Sequence, residues 1–408
     1  MKPLLLSHFT ATSCLGRGLD ATLDALRRQR GGLAPCDFER AELDTWIGAV
    51  EGVEAEPLRA DLAAYACRNN RLAQLGLAQD GFAAHVEAAI VRYGAQRVGV
   101  FVGTSTSGIL ETEHAYRQRD PNTGALPTGF RYAETHNPYS VAAFVRAYFA
   151  LRGPAVAISS ACSSGAKVFG SARRMIEAGL IDAAVVGGVD SLCLTTLYGF
   201  NSLELLSREP CKPFDAARNG ISIGEAAAFA LVERVPEARE TVDENAVLLL
   251  GVGESSDAHH MSSPHPEGLG ARAAIEQALA TAGVAPAGIG YINLHGTATP
   301  SNDAAESRAV RALFQQGTPC SSTKGATGHT LGAAGALEAV VAALALRHRF
   351  VPAGVNTTQP DPALGLNYVL QSREADLHTV LSNSFGFGGT NCSLIFGRAD
   401  HALREPRA

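Results

Sequence analysis

Short apolar runs alternate with alanine-rich stretches along most of the chain. The apolar runs are rich in valine, isoleucine and alanine, as in strands buried on both faces, whereas the alanine-rich stretches repeat apolar residues at helical spacing. The alternation predicts a largely parallel sheet covered by helices. The predicted strands are 98–102, 155–159, 183–187, 227–231, 246–251, 291–294, 379–383 and 392–396. The predicted helices are 18–29, 58–77, 140–150, 164–179, 270–282, 304–314 and 332–347.

A polar segment divides this pattern in two. Residues 235–245 are rich in charged side chains and include a proline, as expected of a connection between units. The stretches before and after it end alike, because a glycine-bearing turn leads into a strand at 224–231 and again at 388–396. The sequence therefore predicts a duplicated fold with halves at residues 1–240 and 241–408.

Composition and charge exclude several classes of protein. The 408 residues are 46% hydrophobic and 18% charged, which is typical of a folded chain and not of a disordered one. The 34 lysines and arginines stand against 40 aspartates and glutamates, so no overall positive field exists to hold a nucleic acid. The longest apolar tract, 331–346, is shorter than the roughly 20 residues that cross a bilayer, and the N-terminal apolar run is too short for a signal peptide. We expect a cytoplasmic protein that binds neither nucleic acid nor a membrane.

One of the eight cysteines stands apart from the others. The cysteines are widely scattered and form no zinc-binding spacing, so we expect reduced thiols and no metal site. Cys162, however, lies where the apolar run 155–159 passes through small residues into an alanine-rich helix. The start of a helix favours a thiolate, and small neighbours leave the sulfur accessible. From the residues alone, a nucleophile and a buried structural thiol both remain open.

Two motifs carry histidines in turns. His295 directly follows a predicted strand and precedes glycine and hydroxyl residues, where its side chain can face a cleft. Lys324 and His329 lie in a glycine-rich loop that leads into a helix of small residues. The loop has neither the GxxxxGK[ST] nor the GxGxxG spacing, which disfavours nucleotide binding. An ordinary structural role remains open for each histidine.

Four separated motifs, at 160–165, 295–300, 324–329 and 383–391, together resemble those of the β-ketoacyl-acyl carrier protein synthases. These are the type I/II condensing enzymes of the thiolase superfamily, and the resemblance extends from about residue 95 to the end of the chain. It implies a thiolase-like α/β fold of five αβαβα layers, built from two duplicated βαβαβαββ halves. It also implies a homodimer, or a heterodimer with a ketosynthase-like chain-length factor.

The resemblance implies a decarboxylative Claisen condensation. Cys162 would take an acyl chain from acyl carrier protein, and a malonyl thioester would lose CO₂ and attack it to give a β-ketoacyl product. His295 and His329 would stabilise the enolate oxygen. The backbone N–H groups of Cys162 and Phe387 would stabilise the oxyanion of the acyl tetrahedral intermediate. Phe387 would also serve as a mobile gate between the two substrates. No resident cofactor is implied, because the phosphopantetheine arm of the carrier belongs to the substrate.

The resemblance also implies supporting and binding residues. Lys324 would pair with Glu338, while Asp303 and Glu306 would orient the first histidine motif. The residues implied to bind the substrate are Thr297, Thr299, Ser262, Thr106 and Gly388. The cations implied to dock the acidic carrier protein are Arg68, Arg71, Arg208 and Lys212.

Two features of the sequence depart from the elongation synthases. They resemble the synthases of accessory pathways, in particular those that build aryl polyenes. Elongation enzymes usually have a glycine directly before the acidic residue of the first histidine motif, whereas Asn302 precedes Asp303 here. The loop 103–109, expected to line the acyl pocket, is rich in hydroxyls. Unpaired hydroxyls along the tunnel would suit an aryl or polyenoyl chain better than a saturated one.

Several alternatives remain beside this hypothesis. The chain could be a housekeeping fatty-acid elongation synthase, or a chain-length partner of little activity, although the presence of Cys162 argues against the partner. A thiolase would need a second catalytic cysteine, and Cys392 is poorly placed for that role. A type III synthase would have asparagine where this chain has His329.

Overall fold

The computed structural model describes residues 2–237, 242–314 and 317–403. The predicted boundary between residues 240 and 241 lies outside the described residues. The strands are β1 (Leu4–Ser13), β2 (Gly16–Arg17), β3 (Ala34–Pro35), β4 (Trp46–Gly48), β5 (Val98–Gly103), β6 (Ala155–Ile158), β7 (Ala183–Asp190), β8 (Ile223–Gly224), β9 (Ala226–Arg234), β10 (Val247–Ser256), β11 (Tyr291–Asn293), β12 (Cys320–Ser321), β13 (Phe350–Val351), β14 (Arg373–Glu374), β15 (Thr379–Gly386) and β16 (Thr390–Arg398).

The helices are α1 (Leu19–Arg27), α2 (Arg68–Leu77), α3 (Phe82–Tyr93), α4 (Ile109–Arg117), α5 (Ser140–Tyr148), α6 (Ser164–Glu177), α7 (Leu194–Ser202), α8 (Leu269–Ala282), α9 (Pro300–Phe314), α10 (Lys324–Thr327), α11 (Ala334–Arg347) and α12 (Ala399–Ala402). Short 3₁₀ helices occur at Ala60–Tyr65, Pro286–Gly288, Leu331–Ala333 and Phe387–Gly389. Among the described residues, no helix combines the length and the apolar content that crossing a bilayer requires.

Two sets of five strands repeat the same topology. The first set has the order β6-β5-β7-β9-β1 and the second has the order β12-β11-β15-β16-β10. In each set the first three strands are parallel, and the last two pair antiparallel with their neighbours. β1 and β10 pair antiparallel and join the two sets into one sheet. Identical order and direction in both sets confirm the predicted duplicated, thiolase-like α/β fold.

Helices cover both sets of strands and fill the space between them. α6 packs on β5 and β7 and also contacts β16, while α11 packs on both β9 and β15. α2, α3 and α5 pack against the first set of strands, and α8 packs against β10 and β16 of the second. The layers therefore follow the order αβαβα, with α6 and α11 in the middle.

The middle helices approach each other through glycines. A Cβ atom at Gly165 of α6 would lie 2.7 Å from the carbonyl oxygen of Gly332, and one at Gly335 of α11 would lie 2.6 Å from the backbone nitrogen of Ala166. Only glycine permits this approach. The contact brings the start of α6, next to Cys162, against the segment that leads from His329 into α11. The apolar tract 331–346 is thus a buried central helix.

Several elements differ from the sequence prediction. The predicted helix 58–77 is a 3₁₀ helix followed by α2, because Ala66 between them has an extended backbone. β1 was not predicted, since its second half is polar in sequence although it is buried between neighbouring strands. Helices α3, α4 and α7 were also missed.

Arg68 forms a buried ion pair, so the prediction that it docks a carrier protein is wrong. Its side chain is 8% exposed, and its guanidinium donates to Glu225 over 2.6 and 2.9 Å and to Glu54 over 2.6 Å. Glu225 is fully buried and also accepts the backbone N–H groups of Val50 and Leu192. Through Glu225, Arg68 therefore connects α2 to the segments that follow β4 and β7. A buried carboxylate needs such a matched cation.

We expect Arg68→Met to lower the free energy of unfolding by about 3–5 kcal/mol, because Glu225 is left buried without its cation. The double variant Arg68→Met/Glu225→Gln should recover part of this loss, since it removes the unpaired charge. Urea denaturation measures both changes.

The matched control is Arg272→Ala, which breaks an exposed pair with Glu276 on α8. It should change the free energy of unfolding by less than about 1 kcal/mol. A loss in Arg68→Met as small as that in the control would show that the buried pair does not stabilise the fold.

Candidate active site

Cys162 lies in a tight turn between β6 and α6. Ala161 before it has a left-handed backbone, with φ of 51°. The hydroxyl of Ser164 donates to the Ala161 carbonyl over 2.5 Å and accepts the N–H of Ser160 over 2.9 Å. These bonds hold the turn in a conformation that a non-glycine residue rarely adopts. The sulfur, in a side chain only 5% exposed, is held at the floor of a cleft.

Both predicted histidines lie beside Cys162. The Nε2 atom of His329 is 3.0 Å from the sulfur, and the ring of His295 stands at 84° to that of His329 with centroids 5.4 Å apart. One donor atom from each of the three residues lies within 4.8 Å of the other two. The structure therefore brings together one residue from the first half of the chain and two from the second.

Lys324 sets the orientation of His295. Its ammonium group lies 3.4 Å from Nδ1 of His295, donates to the carbonyl of the same residue over 2.5 Å, and forms an ion pair with Glu338. All three side chains are buried. Because Nδ1 faces a hydrogen-bond donor, the proton of the neutral His295 ring resides on Nε2.

Two buried carboxylates support the turn after β11. Glu306 accepts the N–H groups of His295 and Gly296, each over 2.8 Å, and the side-chain amide of Asn383 over 3.1 Å. Asp303 accepts the N–H of Ala298 in the same turn over 3.2 Å and that of Phe214 over 2.8 Å. Both acidic residues therefore hold backbone around His295 and do not line the cleft themselves.

Burial controls the pKa values in the site. Burial and then the Lys324 cation hold the pKa of both histidines well below its usual range, so each ring is neutral at pH 7. Burial raises the pKa of Cys162 to about 11, although the Phe387 N–H and the Lys324 cation oppose it. The expectation that the helix start makes Cys162 a thiolate is therefore wrong for the resting protein. Loss of hydration raises the pKa of the thiol more than the nearby positive charge lowers it.

Burial also raises the pKa of two glutamates to about 7. For Glu338 the Lys324 cation opposes this rise, and for Glu306 the hydrogen bonds from the backbone of His295 and Gly296 oppose it.

The cleft above Cys162 contains most of the predicted substrate-binding residues. Thr297, Thr299 and Ser262 line it together with Phe387, and the hydroxyls of the two threonines lie 2.9 Å apart. The lining residues not predicted from the sequence are Phe200, Leu205, Ile221, Asp257, Ser263, Pro264, Ser301, Asn302, Phe385, Gly386 and Asn391. Phe385, Gly386 and Asn391 belong to the motif 383–391, whereas Phe200, Leu205, Ile221 and Asp257 come from segments that no motif marks.

Phe387 forms part of the cleft wall. It follows β15, and its ring centroid lies 5.6 Å from that of Phe200. Gly388 next to it has φ of 77° and donates its N–H to the carbonyl of Met261 over 2.7 Å. Gly388 does not line the cleft, so its predicted contact with substrate is replaced by a backbone role beside Phe387.

The structure contradicts the predicted role of Thr106. Its hydroxyl donates to the buried carboxylate of Asp190 over 2.8 Å, and the hydroxyl of Thr104 does the same over 2.7 Å. Ser107 donates to two backbone carbonyls. These hydroxyls of the loop 103–109 are therefore paired within the protein and do not form a polar tunnel wall.

Asp190, which the sequence did not single out, connects this loop to the second half of the chain. Its carboxylate also accepts the N–H groups of Ser105 and Gly332, and Gly332 follows the loop that carries His329. A buried aspartate at a strand end has no distinctive sequence signal.

The remaining predicted docking cations lie outside the cleft lining. Arg208 is exposed, Lys212 is ion-paired with Glu209 at 2.6 Å, and Arg71 lies 3.6 Å from Glu54 with its side chain 25% exposed.

Comparison with known proteins agrees with this geometry. Residues 11–238 match the description "Beta-ketoacyl synthase, N-terminal domain", and residues 246–358 match "Beta-ketoacyl synthase, C-terminal domain". The 3-oxoacyl-[acyl-carrier-protein] synthase 2 of Vibrio cholerae serotype O1 is 33% identical over 409 residues, which cover 95% of this chain and 96% of that protein. The mitochondrial 3-oxoacyl-[acyl-carrier-protein] synthase of Arabidopsis thaliana is 40% identical over 263 residues, which cover 61% of this chain and 57% of that protein.

A solved structure is similar over nearly the whole chain. It is a chain of the complex of the ketosynthase ApeO with its chain length factor ApeC from Xenorhabdus doucetiae. It has 39% identity and a TM-score of 0.86, and the match covers 97% of this chain and 98% of that one. The family descriptions match both halves of the chain, and the fold agrees with that of the solved structure. The chain therefore belongs to the β-ketoacyl synthase family and is a condensing acyltransferase, a 3-oxoacyl-acyl carrier protein synthase.

Proposed function

We propose that Cys162 is the acyl acceptor and that His295 and His329 stabilise the enolate of the malonyl unit. The observation that carries this proposal is the 3.0 Å approach of His329 Nε2 to the Cys162 sulfur, with His295 facing the same cleft. A thiol suits this role because exchange with a thioester keeps the acyl group activated.

In the first step the thiol must lose its proton, because its pKa of about 11 leaves it protonated at rest. His329 Nε2 is within reach to accept that proton as the sulfur attacks the acyl thioester. The N–H groups of Cys162 and Phe387 stabilise the tetrahedral oxyanion. The S–acyl bond forms, the carbon–sulfur bond to the carrier arm breaks, and the arm leaves as a thiol with the proton from His329.

In the second step a malonyl thioester enters the cleft and loses CO₂. The electron pair left behind forms an enolate, whose oxygen accepts hydrogen bonds from Nε2–H of His295 and of His329, once the ring proton of His329 has moved from Nδ1 to Nε2. Neutral imidazoles stabilise this oxygen without readily protonating the carbon, which agrees with their lowered pKa values. The enolate carbon then attacks the acyl group, the carbon–sulfur bond to Cys162 breaks, and the released thiolate takes up a proton from water.

No resident cofactor takes part in this scheme. The phosphopantetheine arm of the carrier protein arrives with the substrate, and Thr297 and Thr299 at the cleft wall can hydrogen-bond to it. Arg208 is the exposed member of the docking set, and Arg71 and Lys212 add charge at their partly exposed positions. An acidic carrier protein would be attracted to such cations.

The partner that we propose is a chain-length factor of the same fold. The first five-stranded set ends in β6, an apolar Ala-Val-Ala-Ile strand that is only half-buried. Such an edge is suited to pair with another chain. The similar chain from Xenorhabdus doucetiae was solved with a chain length factor, which supports a heterodimer over a homodimer here.

The acyl chain that we propose is aryl or polyenoyl. The aromatic rings of Phe200, Phe385 and Phe387 line the cleft beside Cys162, and flat conjugated chains stack favourably on such rings. The identity of 39% to the ketosynthase complex with a chain length factor exceeds the 33% to the Vibrio enzyme over similar coverage. The hydroxyls of the loop 103–109 give no support, because Asp190 and backbone carbonyls use them.

Incubation with an acyl-acyl carrier protein should add one acyl group to Cys162, which mass spectrometry of the intact and digested protein detects. Cys162→Ser should carry no adduct, whereas Cys392→Ser should be acylated normally because that thiol is buried in β16.

The variant His295→Gln separates the two steps of the same reaction. It should keep the Cys162 adduct but release CO₂ from malonyl carrier protein about 10²–10³-fold more slowly, because it lacks one enolate donor. Wild-type protein without an adduct, with Cys162 intact, would overturn the proposal.

The pH dependence of Cys162 alkylation tests its protonation state. Only the thiolate reacts with iodoacetamide, so a pKa of about 11 predicts a rate that rises roughly tenfold per pH unit from 7 to 10. An ordinary cysteine peptide, with a pKa of about 8.5, should instead level off above about pH 9. Peptide mass spectrometry follows the rates, and a plateau below pH 8 at Cys162 would contradict the raised pKa.

Competition between carrier-bound substrates tests the chain class. We expect the protein, alone or with a chain-length-factor partner, to extend aryl-acyl or polyenoyl carrier proteins at least about tenfold faster than saturated ones of equal length. Product analysis by mass spectrometry gives the ratio. A preference for saturated chains would assign the protein to fatty-acid elongation instead.

A further inference from the structure

Three metal-binding side chains meet at the floor of the cleft. The sulfur of Cys162 and one ring nitrogen each from His295 and His329 lie within 4.8 Å of one another, and all three residues are buried. In the described part of the chain, no other group of three histidine, cysteine or acidic side chains has this spacing. Sulfur and imidazole nitrogen are the donors that Zn²⁺ prefers.

The spacing of these donors is close to that of a zinc site. Zinc lies about 2.3 Å from a sulfur ligand and about 2.0–2.1 Å from a histidine nitrogen, so tetrahedral ligands are roughly 3.3–3.6 Å apart. The sulfur of Cys162 and Nε2 of His329 are 3.0 Å apart, so they need to separate by about half an ångström, and no two of the three donors are more than 4.8 Å apart. The perpendicular ring of His295 approaches the same point from a second direction.

The surroundings allow that small movement. Nδ1 of His329 has no hydrogen-bond partner among the described residues, so the ring can turn without breaking a bond there. His295 is held from behind, since Glu306 accepts its N–H and Lys324 contacts its carbonyl and Nδ1. His295 is thus held in place, while the ring of His329 can adjust. The open cleft leaves a fourth position for water.

We propose that Cys162, His295 and His329 bind Zn²⁺ or a similar borderline-soft divalent cation, which reversibly inhibits the enzyme. As the metal binds, the Cys162 thiol and Nε2 of His295 each release a proton to solvent, the Lys324 ammonium group passes a proton to Nδ1 of His295, and water supplies the fourth ligand. The bound sulfur can no longer attack a thioester, so the cation competes with acylation. The inhibitory effect rests on the proposed role of Cys162, whereas the binding itself rests only on the donor geometry.

A second pair of histidines could compete for the metal and serves as the control. His259 and His265 lie in the loop that borders the cleft, with ring centroids 5.0 Å apart. They offer two nitrogen donors and no sulfur. Cys36, a free thiol that is only partly buried, provides the matching control for a cysteine away from the cleft.

Titration of the chelator-treated full chain with Co²⁺ tests the site without relying on catalysis. We expect a thiolate-to-cobalt charge-transfer band with the strong visible bands of tetrahedral cobalt, both of which added Zn²⁺ should abolish. Cys162→Ser should lose the charge-transfer band, and His329→Gln should weaken binding at least about tenfold. The bands should be unchanged in Cys36→Ser and in His259→Gln/His265→Gln.

The same Zn²⁺ concentrations should slow iodoacetamide alkylation and acylation of Cys162 in the wild type and in both control variants. A charge-transfer band that persists in Cys162→Ser, disappears in either control, or never forms in the wild type would overturn the proposal. Cobalt binding at Cys162 in a protein that forms no acyl adduct would uphold the metal site while removing the proposed catalytic role.

Discussion

The buried ion pair between Lys324 and Glu338 is the interaction on which the rest of the site depends. A lysine that is 1% exposed needs a matched anion, and Glu338 on the central helix α11 supplies it. The ammonium group then contacts His295 and determines its tautomer, and its charge contributes to the lowered pKa of both histidines. Proton positions in the cleft therefore depend on a pair that does not line it.

Duplication of the fold explains how these groups come together. The first half delivers Cys162 at the start of α6, and the second half delivers His295, Lys324 and His329. The two halves meet where α6 and α11 pack, and Gly165 and Gly335 let the backbones approach closely. Asp190 adds a second connection, because it binds the loop after β5 and the N–H of Gly332 together. The distance between thiol and imidazole thus depends on the packing of the middle layer.

The sequence predicted the regular, buried elements well and the ambiguous ones poorly. Continuous apolar strands such as β5 and β7 were recognised because burial on both faces leaves an unbroken apolar run. β1 was missed because hydroxyl and histidine side chains interrupt its pattern, although pairing on both sides includes it in the sheet. The helix predicted at 58–77 breaks at Ala66, where no proline or glycine signals the change.

The sequence by itself determined the class of the fold, because apolar periodicity is a local pattern. Its four motifs marked Cys162, His295, Lys324 and His329 only through their resemblance to the β-ketoacyl synthases. Tertiary structure alone decided the environment of each group. Arg68 looks like a surface cation in sequence but pairs with Glu225 from a distant strand end, and Thr106 looks like a pocket hydroxyl but binds Asp190. The Cys162 thiol is protonated at rest for the same reason, since burial is a property of the assembled layers and no local pattern encodes it.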